Sequence, residues 1–214
     1  MALPHTLITS GPTRQHLDPV RYLTNASSGQ MGAALAAAAL ELGHKVTVVS
    51  GPVEVEYPNL CRVVPVVSTE EMLAAAAELF EDADGLIGAA APCDYRPEVV
   101  ASQKISKTGA PLELHLVETD DIVATLAARK GARWVVGFAL ETDDHRLRAI
   151  AKLERKHCDL IVSNGAEAMR SSHNSVEVLA PDGSTVGRFE GLKTDVARGI
   201  LSVIDSRLCR PASR

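Results

Sequence analysis

An α/β fold built on an open, mainly parallel sheet is predicted by three observations. Short apolar runs alternate with longer helical patterns, as buried strands and their covering helices do. A chain of 214 residues that is 46% hydrophobic can bury a sizeable core. After Asn164 the texture changes to alternating runs around a turn signal, which adds a C-terminal β-hairpin appendage. The expectation is therefore a Rossmann-like sheet with helices on both faces, as a single domain over residues 1–214.

In order along the chain, the strand runs are "TLITSG", "KVTVVSG", "CRVVPVVS", "DGLIGAAA", "WVVGFAL" and "DLIVSN". Each is short and apolar, as strands of a sheet covered by helices on both faces are. Helical patterns lie between them at Gly32 to Leu42, Thr69 to Glu81, Asp120 to Lys130 and Asp144 to His157. Ser68 with Glu71 three positions later fits a capping box, which would satisfy two free amide donors. "SVEVLAPDGSTVGRFEG", Ser175 to Gly191, reads as a hairpin turning at Pro181-Asp182-Gly183. "LKTDVARGILSVIDSRL" closes the chain as an amphipathic helix, and "CRPASR" reads as a frayed tail.

Composition excludes several classes. The net charge of −5 is spread in both signs, without the basic stripe that nucleic-acid binders carry, so any anion must be held locally. The opening "MALPHTLITSGPT" lacks a basic n-region, and no window approaches the roughly 20 apolar residues of a membrane span. A cytoplasmic location without a membrane partner is expected. Cys61, Cys93, Cys158 and Cys209 stand far apart without a C-x-x-C pair and read as reduced thiols.

Ligands of open α/β sheets bind at the carboxyl ends of the strands, where the strand order reverses. Two long loops leave that edge, one after the first strand and one after the fourth, and long loops in compact domains are usually functional or disordered. The first runs into "TNASSGQMG". Ser27 and Ser28 can cap the following helix, Gly29 permits close approach of backbone, and a helix N-terminus welcomes an anion. The same residues also suit a cap with nothing bound. Asn25 adds a neutral amide with donors and an acceptor, suited to a carboxylate or an acyl group. In the second loop Asp94 can hold a metal ion or cap a turn, and Lys104 and Lys107 are either a solvated pair or a flap closing over phosphate. Lys152 and Lys156 are one helical turn apart near a helix end, where a polyphosphate would turn their repulsion into a clamp. His16, His44, His115, His145 and His157 read as packing or surface residues, and Trp134 and Phe138 as core.

Taken jointly, "TSGPTR…LDPVRYLTNASSGQMG", "VTVVSGPV", "GAAAPCDYRP" with "QKISK", "VVGFALET" and "KLERKHCDLIVSN" resemble the phosphopantothenoylcysteine synthetases of coenzyme A biosynthesis. The likeness runs from Thr6 to about Leu201. It implies ligation of 4′-phosphopantothenate to L-cysteine through an acyl-nucleotidylate, with CTP as co-substrate, Mg2+, no flavin and a homodimer. By the resemblance, Asn25 holds the carboxyl or acyl end, while Ser27, Ser28, Gly29, Met31 and Gly32 serve the substrate. Lys104 matches the flap lysine that forms the nucleotidylate. Ala90, Ala91, Asp94, Val117, Glu118, Thr119, Asp120, Lys152 and Lys156 match the nucleotide pocket. Phe138, Glu141 and Asn164 lie in matched motifs without an assigned role.

The chain departs from the family pattern at Pro92, Cys93 and Glu118, and proline removes a backbone donor. A stand-alone synthetase or an excised domain is expected, without the flavin-binding half. Two alternatives stay open: a non-catalytic module of the same fold that binds phosphopantothenate or nucleotide, and a nicotinamide-dependent reductase. The reductase lacks its glycine fingerprint after strand one and its acidic residue after strand two.

Overall fold

The computed structural model describes residues 3–141, 145–165 and 173–209. In chain order the elements are β1 (His5–Ser10), β2 (Arg14–His16), β3 (Tyr22–Thr24), α1 (Gln30–Glu41), β4 (Lys45–Ser50), β5 (Arg62–Pro65), α2 (Thr69–Phe80), β6 (Gly85–Gly88), β7 (Tyr95–Pro97), β8 (Leu116–Glu118), α3 (Ile122–Ala127), β9 (Trp134–Glu141), α4 (His145–Arg155), β10 (Leu160–Gly165), β11 (His173–Leu179), β12 (Thr185–Leu192) and α5 (Lys193–Ile204), followed by a short π-helical turn over Asp205–Cys209. Asp144, expected to open the fourth helix, lies outside the described residues.

Eight strands form one sheet in the order β12-β11-β10-β9-β6-β1-β4-β5. β10, β9, β6, β1, β4 and β5 are parallel to their neighbours, and β11 and β12 join antiparallel. The expected hairpin is thus present, but it extends the central sheet. The reason lies in its apolar face: Val176 and Val178 are buried in the same cluster as Val162 of β10, so the hairpin continues the core instead of standing apart from it.

Consecutive residues of a strand face opposite sides of a sheet, and here that alternation divides the core in two. Ile8, Val48, Ile87, Val136 and Val162 pack beneath α1 and α5. Leu7, Val49, Leu86, Val135 and Ile161 face Met72 and Phe80 of α2, Leu126 of α3, and Leu153 of α4. Because β1, β4, β6, β9 and β10 are buried on both faces, they read as unbroken apolar runs, whereas β5 at the sheet edge is mostly exposed despite its apolar run. Trp134 is 6% exposed within the first cluster, as expected for a core residue. It lies against Gly85, where an added Cβ would stand 2.0 Å from the indole.

The capping box at α2 forms as expected: the Ser68 hydroxyl accepts from the Glu71 amide at 3.1 Å, and Glu71 Oε2 accepts from the Ser68 amide at 3.3 Å. At α1 the expectation fails, because neither Ser27 nor Ser28 caps the helix. The N-cap is Gly29, at φ +74° and without a side-chain cap bond. The left-handed conformation there suits glycine, and a Cβ would come within 2.9 Å of Val53. No described helix is long and apolar enough to cross a membrane, and none of the four cysteines is in a disulfide.

Candidate active site

The chain turns toward β4 after β1 and toward β9 after β6, so the strand order reverses between β1 and β6. A crevice must open there, outside the carboxyl ends of those strands. The two long loops that meet at it are better organised than their sequences suggest. The first carries the β2–β3 ladder and the second the β7–β8 ladder, each antiparallel.

Hydroxyls join the loops. The Thr13 Oγ1 accepts from the Cys93 amide at 2.8 Å and stands 2.8 Å from Thr69 Oγ1. The Cys93 carbonyl accepts from the hydroxyls of Thr69 at 3.2 Å and Thr119 at 2.6 Å. Thr13 and Thr69 are buried, and a buried network with its donors and acceptors paired fixes one geometry.

On this support Asn25 sits at the entry to α1. Its Nδ2 donates to the carbonyls of Ala91 at 3.2 Å and Pro92 at 2.9 Å. Both amide hydrogens are therefore taken by main chain, and Oδ1 is what the residue offers to a bound group. The proline at 92 does not weaken this cradle, because a carbonyl is what the cradle uses.

A cleft of about 410 Å³ is lined by Asn25, the Ser27 to Gly32 turn, Ala90, Ala91, Pro92, Asp94, Phe138, Lys152, Lys156, Asn164, Asn174 and Lys193. A second, of about 400 Å³, shares Ala90, Pro92, Asp94, Phe138 and Lys156 with it and extends along Glu118, Thr119, Asp120 and Asp121. Together they make a two-part site with a common wall. One half joins the α1 entrance to lysines, and the other carries a row of carboxylates. Lys156 bridges the two, with its Nζ 3.0 Å from Asp121 Oδ2. Burial pushes the Lys193 ammonium below its ordinary value, which sharpens its preference for an anionic partner.

Residues 1–208 match the family described as the DNA/pantothenate metabolism flavoprotein C-terminal domain. The chain belongs to that family. The coenzyme A biosynthesis bifunctional protein CoaBC of Vibrio parahaemolyticus is 44% identical over 184 residues, which are 83% of this chain and 46% of the relative. The chain thus spans about half the length of the curated relatives it matches. The crystal structure of the C-terminal domain of CoaBC has a TM-score of 0.80 at 35% identity and covers 94% of each chain. Cab2 H337A, in a complex with phosphopantothenate-cysteine, shares the fold with a TM-score of 0.79 at 17% identity, over 97% of this chain and 87% of its own.

Most residues singled out from the sequence converge at this cleft. Asn25, Ser27, Ser28, Gly29, Met31, Gly32, Ala90, Ala91, Asp94, Lys152 and Lys156 all line the first half. Glu118, Thr119 and Asp120 line the second. Two do not join them. Val117 pairs with Arg96 in the β7–β8 ladder, and Glu118 beside it reaches the cleft instead. Lys104 is exposed on the loop between β7 and β8 and lines neither half.

Some assignments change in character. Gly32 touches the cleft, but an added Cβ would lie 1.9 Å from Ser10 Oγ, so its glycine is required by helix-to-strand contact. The Thr119 hydroxyl is engaged by the Cys93 carbonyl and supports the loop. Phe138, read as core, lines both halves of the cleft. Lys193 and Asn174 were given no role by local pattern. Only the joining of the hairpin to β10 brings them to this edge, and spacing along the chain carries no sign of that.

Proposed function

We propose that this domain is a phosphopantothenate–cysteine ligase acting through an acyl-nucleotidylate. The observation that carries the reading is the two-part cleft sharing Asp94 and Lys156, with Asn25 held on the carbonyls of Ala91 and Pro92. It is supported by the likeness to CoaBC, named for coenzyme A biosynthesis, and by the phosphopantothenate-cysteine complex of a protein with the same fold.

In the first step a carboxylate oxygen of 4′-phosphopantothenate attacks the α-phosphorus of a nucleoside triphosphate. The bond to the leaving oxygen breaks, and pyrophosphate departs. In the second, the amine of L-cysteine attacks the acyl carbon, a proton leaves the nitrogen, and the nucleoside monophosphate departs. The α1 entrance with Lys193 suits the phosphate of the pantothenoyl substrate. The second half of the cleft suits the nucleotide, whose phosphates would meet Lys152 and Lys156. Charge neutralisation of departing pyrophosphate by pre-placed cations is the main catalytic demand on such a site.

CTP is the nucleotide proposed, on resemblance. Mg2+ usually combines one or two carboxylates with substrate phosphates, and Asp94 on the common wall fits that donor set. The domain is proposed to act as a homodimer in the cytoplasm, with the β11–β12 hairpin as a contact region, since β12 is an outer strand of the sheet. Elution as a monomer with full activity would remove the dimer.

The test is pyrophosphate release by the purified protein given 4′-phosphopantothenate and Mg2+, with CTP and ATP compared, before and after L-cysteine is added. Release with CTP, and phosphopantothenoylcysteine only when cysteine is present, is the expected result. Binding of phosphopantothenate without release from either nucleotide would instead establish a non-catalytic module.

A further inference from the structure

The turn between β2 and β3 holds a fully buried carboxylate, Asp18. Its Oδ1 accepts from the amides of Val20 and Arg21, both at 2.8 Å. Those two bonds are all that a side-chain-closed turn requires. Oδ2 is directed elsewhere. It accepts from the Arg21 guanidinium, with Nε at 3.0 Å, and from the amide of Ile105 at 3.1 Å, 87 positions along the chain. Arg21 Nη2 also donates to the Ile105 carbonyl at 2.7 Å.

Both backbone groups of the residue after Lys104 are therefore gripped by one ion pair. A second pin lies three residues before Lys104, where the Ala101 amide donates to the Leu17 carbonyl at 3.0 Å. Lys104 stands between the pins, exposed, and makes no side-chain hydrogen bond or ion pair among the described residues. The ladder whose turn supplies these pins continues through Tyr22–Thr24 to Asn25. One small ladder thus spans from the pins on the Lys104 loop to the residue cradled by Ala91 and Pro92.

We infer that Asp18 is a positioning residue: with Arg21 it latches the loop at Ile105 and so fixes where Lys104 stands relative to Asn25 and the cleft. The inference rests on the ligase reading for its catalytic consequence, while the latch itself is a matter of structure. A buried carboxylate that accepts five N–H bonds holds its loop firmly, because bonds to a charged acceptor are about twice as strong as neutral ones. The Arg21 guanidinium beside it also holds the Asp18 carboxyl well below the usual carboxylate range, so the acceptor stays charged at neutral pH.

Asp18→Asn is the discriminating variant. Its amide oxygen can still close the turn, but its NH2 would meet the Ile105 amide and the Arg21 guanidinium as donor against donor. Hydrogen exchange at the Ile105 amide is expected to be slow in the parent and at least about 10-fold faster in the variant. Pyrophosphate release should fall by about 100-fold, the scale of an ångström misplacement. The cysteine step, followed in a chase after the acyl-nucleotidylate has accumulated, should be unchanged. Should Asp18→Asn fail to fold, Arg21→Lys at the more exposed partner keeps the charge but loses the fork that reaches both Asp18 and Ile105. The same pattern with smaller factors is expected from it.

Fast exchange at Ile105 in the parent would overturn the latch. So would loss of protection with pyrophosphate release unaltered, or equal loss of both half-reactions, which would make Asp18 a general support of the cleft. A parent protein without ligase activity overturns the proposed function and the catalytic consequence together. Exchange alone then decides whether Asp18 holds the loop.

Discussion

Asn25 commits both amide hydrogens to main-chain carbonyls, and this determines how it must respond to substitution. In Asn25→Asp a carboxylate oxygen would face the carbonyls of Ala91 and Pro92, acceptor against acceptor, and the side chain would leave its cradle. The expected outcome is detectable acyl-nucleotidylate but loss of the cysteine step, on the order of 100-fold for a misplaced group, read by trapping the intermediate. Equal loss of both steps would make Asn25 a binding residue only. Lys104 is expected to act earlier. Lys104→Gln should abolish pyrophosphate release, and near-normal release would exclude a role for its charge. The sequence marks Asn25 as suited to an acyl or anionic group, since an amide beside a glycine turn can meet either. Which end of the amide the fold leaves open is not legible there, because that depends on carbonyls more than sixty residues away.

At the scale of elements, α1 meets β1 through a glycine. Gly32 leaves no room for a methyl group beside Ser10, so Gly32→Ala must push the helix away from the strand. The predicted cost is about 1–3 kcal/mol of stability, the usual range for overpacking, measured by the denaturant midpoint. A larger KM for phosphopantothenate should accompany it, because the same turn lines the cleft. The α2 capping box was readable from Ser68 and Glu71 because its contacts are local. The start of α1 was misread because its N-cap relies on the backbone conformation of Gly29, and two adjacent serines are an equally good local signal. β2, β3, β7 and β8 have three residues each, too short for periodicity to register, and pairing across the turn is what defines them.

For the whole molecule, the two-faced sheet was visible in its unbroken apolar runs, whereas the attachment of β11 to β10 was visible only in three dimensions. Burial of this kind has a consequence for alkaline stability. Cys158 lies in the core beneath α4, and burial pushes its thiol up from 9.0 to about 11. Between those values the unfolded chain has lost its thiol proton and the folded chain has kept it, so stability falls as pH rises through the window. The loss is on the order of 2 kcal/mol. Denaturant titrations from pH 8 to 11 should show a steeper decline for the parent than for Cys158→Ala. Parallel profiles would show that the thiol does not contribute.

The cradle beneath Asn25 carries a consequence for descent. It is made of carbonyls at positions 91 and 92, and every amino acid possesses one. Substitution of the side chains there leaves in place the carbonyls that hold Asn25, so the side chains of this stretch can change without removing the acceptors of the cradle.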